Sequence, residues 1–216
     1  IQGENGNDKN KTVQQYFDNL VSLFTNLNND IKAITGQTQD VQFITYQTAS
    51  YGRNAGGTGV PLAFVKAANE LPNVHLGAVM YQYNYADALH LSNSSYRNMY
   101  ANMGVAAKRA VVDGEKWNHI YPISHKIQVN SAGNKWVLSI KMQVPVKPLV
   151  FDESINSRFT TPPTNKGFSM LSSGSEVISS VEILQGDTIN IVTNQNPAGL
   201  TLTYAIQGAV SGGNLR

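Results

Sequence analysis

The sequence predicts an α/β layered unit with parallel strands in its first half and a small antiparallel β unit in its second. Two observations carry this. Up to about residue 114, helical and strand patterns alternate with short connections, the rhythm of a parallel layered sheet; beyond it, apolar residues recur at every second position. From Thr12 to about Ile34 the residues Val13, Tyr16, Phe17, Leu20, Leu23, Phe24, Leu27 and Ile31 recur at steps of three and four, which predicts an amphipathic helix ended by Gly36. Val41 to Gln47 is short, β-branched and aromatic, the composition of a buried strand, and a Gly-rich loop from Tyr51 to Gly59 follows it. Pro61 stands where a first helical turn tolerates it; that helix runs to about Leu71, Pro72-Asn73 breaks it, and Val74 to Met80 makes a second apolar strand. A third helix runs from Ser92 to about Val112 and stops at Asp113-Gly114.

In the second half, apolar and polar residues alternate from Leu138 to Val144, with a turn at Ser131 to Asn134 leading from a strand over Lys126 to Asn130. Val181 to Leu184 and Thr188 to Val192 flank Gln185-Gly186-Asp187, a second hairpin, and Leu200, Leu202, Tyr204 and Ile206 alternate with polar or small residues. At least five strands without a helix predict an antiparallel β-sandwich. The boundary falls near residues 114 to 122, dividing the chain into 1–115 and 116–216.

Composition narrows the function classes. Charged residues are 14% of the 216, and the net charge of +2 comes from scattered lysines and arginines rather than a basic stripe, which argues against nucleic acid as the main partner. With no Cys, thiolate metal sites, catalytic thiols and disulfides are excluded. No apolar run approaches the roughly 18 residues that span a bilayer, so a soluble chain with no membrane partner is expected. The first residues are polar and begin at Ile1, and Gln2-Gly3-Glu4-Asn5 reads as the interior of something longer. A sheet lacking its first strands would expose apolar edges, so a preceding segment of the same protein is an expected partner.

The most informative stretch is Tyr81 to Tyr100, YQYNYADALHLSNSSYRNMY. An Asp three residues before a His, just after a strand and just before a helix, can form an acid/base pair: the carboxylate accepts from one imidazole nitrogen and leaves the other to take a proton. Groups of this kind gather at the carboxyl ends of strands in open α/β sheets. The alternative is that Asp87 caps a turn and His90 is an ordinary surface residue. Tyr81, Tyr83 and Tyr85 alternate on the approach to Asp87; Tyr83 and Tyr85 are candidates for stacking on a sugar ring, against the plainer reading that all three pack one face of a strand. His75 at the start of an apolar strand, and His119 and His125 near the junction, read as structural. No histidines are spaced with carboxylates as metal ligands, so neither metal nor cofactor is expected, and the Gly-rich loop lacks a phosphate-binding Lys-Ser/Thr ending.

Asp87-Ala88-Leu89-His90-Leu91, followed by Ser92-Asn93-Ser94-Ser95-Tyr96-Arg97, resembles the last conserved block of SGNH (GDSL-like) hydrolases, in which a D-x-x-H-L pair opens the final helix and a Tyr follows a small-residue turn. Ser95 stands where that family usually has Gly. Gln2-Gly3-Glu4 resembles the Q-G-E motif of the family's carbohydrate and sialate O-acetylesterase branch, which includes bacteriophage tailspike deacetylases; the family's Asp two residues further on is displaced here to Asp8. The resemblance implies a fold: the C-terminal part of a flavodoxin-like SGNH three-layer sheet, followed by the β-sandwich. It also implies a carbohydrate O-acetylesterase acting on an acetylated glycan, extracellular or virion-associated, and a homotrimer if a tailspike.

The roles it implies are those of acyl transfer. A serine attacks the acetyl carbonyl, His90 takes its proton and returns it to the departing sugar hydroxyl, and Asp87 holds the imidazole tautomer. Gln2 would donate to the oxyanion, a contribution of roughly 3 to 4 kcal/mol to the transition state, with Gly3 and Glu4 supporting that site. The family's nucleophile lies in a G-D-S block upstream of Q-G-E, which this chain lacks. Ser50, at a strand end, is the internal alternative, without the Gly-Asp context or a following helix. A reading from a different class is a non-catalytic glycan-binding or virion tail-fibre protein on the same scaffold.

Overall fold

The computed structural model describes residues 11–49, 59–87, 90–130, 132–153, 164–205 and 215. The chain is mixed α and β and separates into two compact units, the first ending at Trp117 and the second beginning at Asn118.

In the first unit, α1 spans Val13–Thr35. Thr12 opens it with a capping box: its hydroxyl accepts from the Gln15 amide (3.2 Å), and the Gln15 side chain accepts from the Thr12 amide (3.1 Å). Gly36, at φ 73°, closes it by donating to the Lys32 carbonyl, a left-handed conformation that glycine takes without strain. Strand β1 (Phe43–Gln47) pairs in parallel with β2 (Val74–Val79), and α2 (Gly59–Glu70) connects them. Successive side chains of β2 point to opposite faces. Val74 and Leu76 join Leu20 and Phe24 of α1 and Val60, Ala63, Phe64, Ala67 and Ala68 of α2 in one apolar core, each large side chain there contributing about 1.5–3 kcal/mol. On the opposite face, Gly77 lets α3 (Asn93–Ala107) approach closely: a methyl at residue 77 would lie 3.0 Å from the Met103 Cα and 3.2 Å from the Ala106 Cβ. The parallel pair is thus covered by helices on both faces. After α3 the helix widens into a π-helical turn, Lys108–Val112, and ends before Gly114 at φ 70°.

In the second unit, β3 (Tyr121–Val129), β4 (Trp136–Gln143), β7 (Ile178–Leu184) and β8 (Thr188–Thr193) form an antiparallel sheet in the order β3-β4-β8-β7. A second sheet has the order β6-β5-β9, with β5 at Phe168–Ser172, β6 at Ser175–Glu176 and β9 at Leu202–Tyr204. One apolar cluster draws on both, from Leu138, Ile140 and Met142 through Ile189 and Ile191 to Phe168 and Met170. β3 starts five residues before the stretch its alternation predicted. Pro122 is admitted because β3 is an edge strand with a register shift after that residue. β9 is shorter than the alternation from Leu200 to Ile206 suggested; Leu200 and Thr201 lie outside it, and Ile206 is outside the described residues.

The β7–β8 hairpin turns at Gln185 and Gly186, at φ 53° and 70°. Its next residue, Asp187, is 4% exposed. The carboxylate accepts from Lys141 Nζ (2.5 Å), from Lys147 Nζ and from the Thr188 hydroxyl (3.2 Å). Those two ammonium groups hold it well below the usual carboxylate range. Glu176 is handled similarly with backbone donors: burial alone would push its carboxyl up, but bonds from the Ile178, Met170 and Val177 amides and the Ser169 hydroxyl outweigh burial and lower it.

Candidate active site

Asp87 and His90 lie in the connection between β2 and α3, beyond the carboxyl end of the parallel pair, where open α/β sheets place functional groups. The chain leaves β2 through a 3-10 turn at Met80–Gln82 and then doubles back on itself. Tyr85 and Leu91 pair as an antiparallel bridge, the Ala86 amide donates to the His90 carbonyl (2.8 Å), and the Ser92 amide donates to the Asn84 carbonyl (2.9 Å). Ala86, Asp87 and His90 therefore sit where the chain is closed by these bonds. Both flanks are anchored: Tyr83 and Leu91, 4% and 2% exposed, pack in one cluster with Ala49, Ala78, Met80 and Met99. Ser92 then starts α3 by accepting from the Ser95 amide (3.3 Å).

The Asp87 carboxylate makes two bonds to one residue. Oδ1 accepts from the His90 backbone amide at 2.7 Å, and Oδ2 lies 2.8 Å from His90 Nδ1. With Asp87 ionised, Nδ1 carries the proton and Nε2 keeps its lone pair, the tautomer a general base needs. The side chains are 57% and 59% exposed. Chemically, the arrangement can accept a proton at Nε2 and stabilise the resulting imidazolium through Asp87.

The remaining predicted site residues fall differently. Tyr83 belongs to the core, and its hydroxyl accepts from Asn102 Nδ2 at 2.5 Å. A ring that is 4% exposed offers no face to a sugar, so a stacking role for Tyr83 is corrected to a packing one. Tyr85 is half-buried with an inward hydroxyl. The tyrosines do not alternate along a strand as expected, because the 3-10 turn at 80–82 rotates Tyr81 off the strand's pleat. Gln2, Gly3, Glu4, Asp8 and Ser50, with the Gly-rich loop up to residue 58, lie outside the described residues, as do Ala88 and Leu89.

Two features had no signal in the sequence. The antiparallel bridge between Tyr85 and Leu91 is announced by no turn motif. Thr48, at the carboxyl end of β1, is 1% exposed, and its buried hydroxyl has no hydrogen-bond partner among the described residues; its neighbour Ala49 is in the Tyr83–Leu91 cluster. The other histidines are placed structurally. His75 is 1% exposed, His119 is buried with its ring edge to Tyr121 at 5.8 Å, and His125 is exposed on β3. Burial first, and then the Lys116 ammonium, push the His75 pKa down to about 4. Among the described residues no group of three or more His, Asp or Glu is placed to hold a metal ion, and no helix is long and apolar enough to cross a membrane. No protein-family model matches the chain, and no curated protein matches it in sequence.

Proposed function

We propose that this chain carries the acid/base half of a serine esterase that removes O-acetyl groups from a carbohydrate, a polysaccharide or a sialic acid. In this reading the first unit is the C-terminal part of a flavodoxin-like SGNH sheet, and the two antiparallel sheets form an accessory sandwich. The observation that carries it is the 2.8 Å bond between Asp87 Oδ2 and His90 Nδ1 in a loop anchored at both legs beyond the parallel strands. His90 Nε2 takes the proton of a serine hydroxyl as it attacks the acetyl carbonyl and delivers it to the departing sugar oxygen, while Asp87 steadies the imidazolium between those steps. Gln2 donates to the oxyanion, supported by Gly3 and Glu4. The nucleophile is assigned to a G-D-S type block outside these 216 residues.

A second reading, a non-catalytic glycan-binding or virion tail-fibre protein, is favoured by one detail of the same loop. Asp87 also holds the His90 amide and is more than half exposed, which is what a carboxylate capping a surface turn does. The experiment that separates the two uses the full-length protein and follows hydrolysis of an aryl acetate and of an acetylated glycan. His90→Ala is expected to lower kcat by on the order of 10³-fold or more while leaving the fold unchanged by circular dichroism. Full activity in His90→Ala overturns the assignment. A folded, glycan-binding protein without acetyl hydrolysis supports the second reading.

A further inference from the structure

The first unit ends in a clasp built on a buried histidine. His75 of β2 has hydrogen bonds at both ring nitrogens: Nε2 lies 2.8 Å from Gln42 Oε1, and Nδ1 accepts from the Trp117 backbone amide at 3.2 Å. An amide N–H can only donate, so Nδ1 must be bare and Nε2 must carry the proton. The segment that reaches His75 is tied down on either side of that bond. Lys116 Nζ donates to the carbonyls of Leu71 (2.6 Å) and Val74 (2.7 Å), and the Trp117 indole donates to the Leu76 carbonyl (3.0 Å). Trp117 is the last residue of the first unit, and Asn118 begins the second.

We propose that this clasp is acid-opened: protonation of His75 at Nδ1 ejects the Trp117 amide and frees Lys116 and Trp117 from β2, while the rest of the first unit stays folded. A second proton on the ring would set two N–H donors against each other across 3.2 Å, and neither could be satisfied without one leaving. The protonated ring would also be a buried cation beside the Lys116 ammonium. Among the described residues no carboxylate is placed to compensate it. β1, Phe43–Gln47, contributes no charged residue, and Asp40 ahead of it is paired with Lys32 at 2.6 Å. His75 shares with Gly77 the face of β2 that α3 covers. In the turn that follows α3, Lys108 is paired with Asp113 (2.7 Å), and Arg109 with Glu115 (3.4 Å) on the exit segment itself. The easiest relief is for Trp117 to leave, because that segment is held by a handful of side-chain bonds rather than by a sheet ladder.

The test is the amide hydrogen exchange of Trp117 in the 216-residue protein, corrected for the intrinsic pH dependence, between about pH 6.5 and pH 4.5. With an imidazole pKa of 6.5 when the clasp is open and about 4 when it is closed, linkage makes opening roughly 40-fold more favourable at the lower pH. The β2 amides are expected to stay protected over the same range, and His75→Gln, which keeps an acceptor but cannot titrate, is expected to abolish the pH dependence at Trp117. Exchange at Trp117 that is flat with pH, that rises together with the β2 amides, or that rises equally in His75→Gln overturns the proposal. If His75→Gln does not fold, ¹⁵N shifts of the His75 ring decide in the unaltered protein: Nδ1 must gain its proton over the same pH range in which Trp117 opens, and a change at Trp117 without it refutes the clasp.

Discussion

Gly77→Ala tests the close seat of α3 on the parallel strands, the packing that positions the loop bearing Asp87 and His90. The added methyl would meet the Met103 Cα at 3.0 Å, the Ala106 Cβ at 3.2 Å and the Ile44 Cγ2 at 3.2 Å. Carbon atoms prefer about 3.5–4.0 Å, and the nearest of the three is backbone, which cannot swing aside. α3 must therefore move by roughly half an ångström, an overpacking cost of about 1–3 kcal/mol. Against this, alanine restricts the unfolded chain and offsets roughly 0.4–1 kcal/mol. The net loss of about 1–2 kcal/mol corresponds to a fall in Tm of roughly 5–15 °C for a unit of this size, read by calorimetry or by circular dichroism at 222 nm. The control is Gly104→Ala within α3, where a methyl meets nothing within 4 Å; it is expected to raise Tm, since alanine in a helix interior is favoured over glycine by about 1 kcal/mol. An unchanged or higher Tm in Gly77→Ala, or equal falls in both variants, refutes the argument.

Thr12→Ala removes the hydroxyl that accepts from the Gln15 amide and caps α1, while the bond from the residue-12 backbone amide to Gln15 Oε1 remains possible; a loss of about 1 kcal/mol in urea unfolding, with an unchanged m-value, is expected. Asp187→Asn removes the charge that two lysines hold in the β7–β8 turn and should lower the Tm of the second unit at neutral pH. Because the folded carboxyl is held below its ordinary value of 3.8, its contribution is present above that pH and is lost as the pH falls beneath it. The gap in Tm between wild type and Asp187→Asn is therefore expected to narrow below about pH 3.8.

Much of the architecture was legible along the chain because it is encoded by short-range periodicity. The three- and four-residue steps of Val13 to Ile31 mark α1, and Thr12 and Gly36 mark its two ends. Gln185-Gly186-Asp187 announces a hairpin because the positive φ at Gly186 is one that glycine takes without strain. The alternation from Leu138 to Met142 separates buried from half-buried residues position by position. The D-x-x-H spacing of Asp87 and His90 belongs to the same category, since three residues of separation suffice for a carboxylate to reach both the backbone and the ring of the histidine.

What only the tertiary structure decided depends on residues far apart in sequence. For Tyr83 the sequence left open both stacking on a sugar and packing on a strand face; burial, with the hydroxyl bonded by Asn102 nineteen positions on, makes it a core residue. Asp187 meets Lys141, 46 positions earlier, and nothing local distinguishes it from an ordinary turn aspartate. His75 looked merely structural; its neutral tautomer is dictated by Gln42, 33 positions before it, and by Trp117, 42 positions after. The sequence by itself determines where helices and strands begin, which faces are apolar and that Asp87 can hold His90, because those are properties of neighbouring side chains on a regular backbone. Which polar groups are buried, and therefore which protons are held or refused, is decided by distant partners that only the folded chain brings within hydrogen-bonding distance of one another.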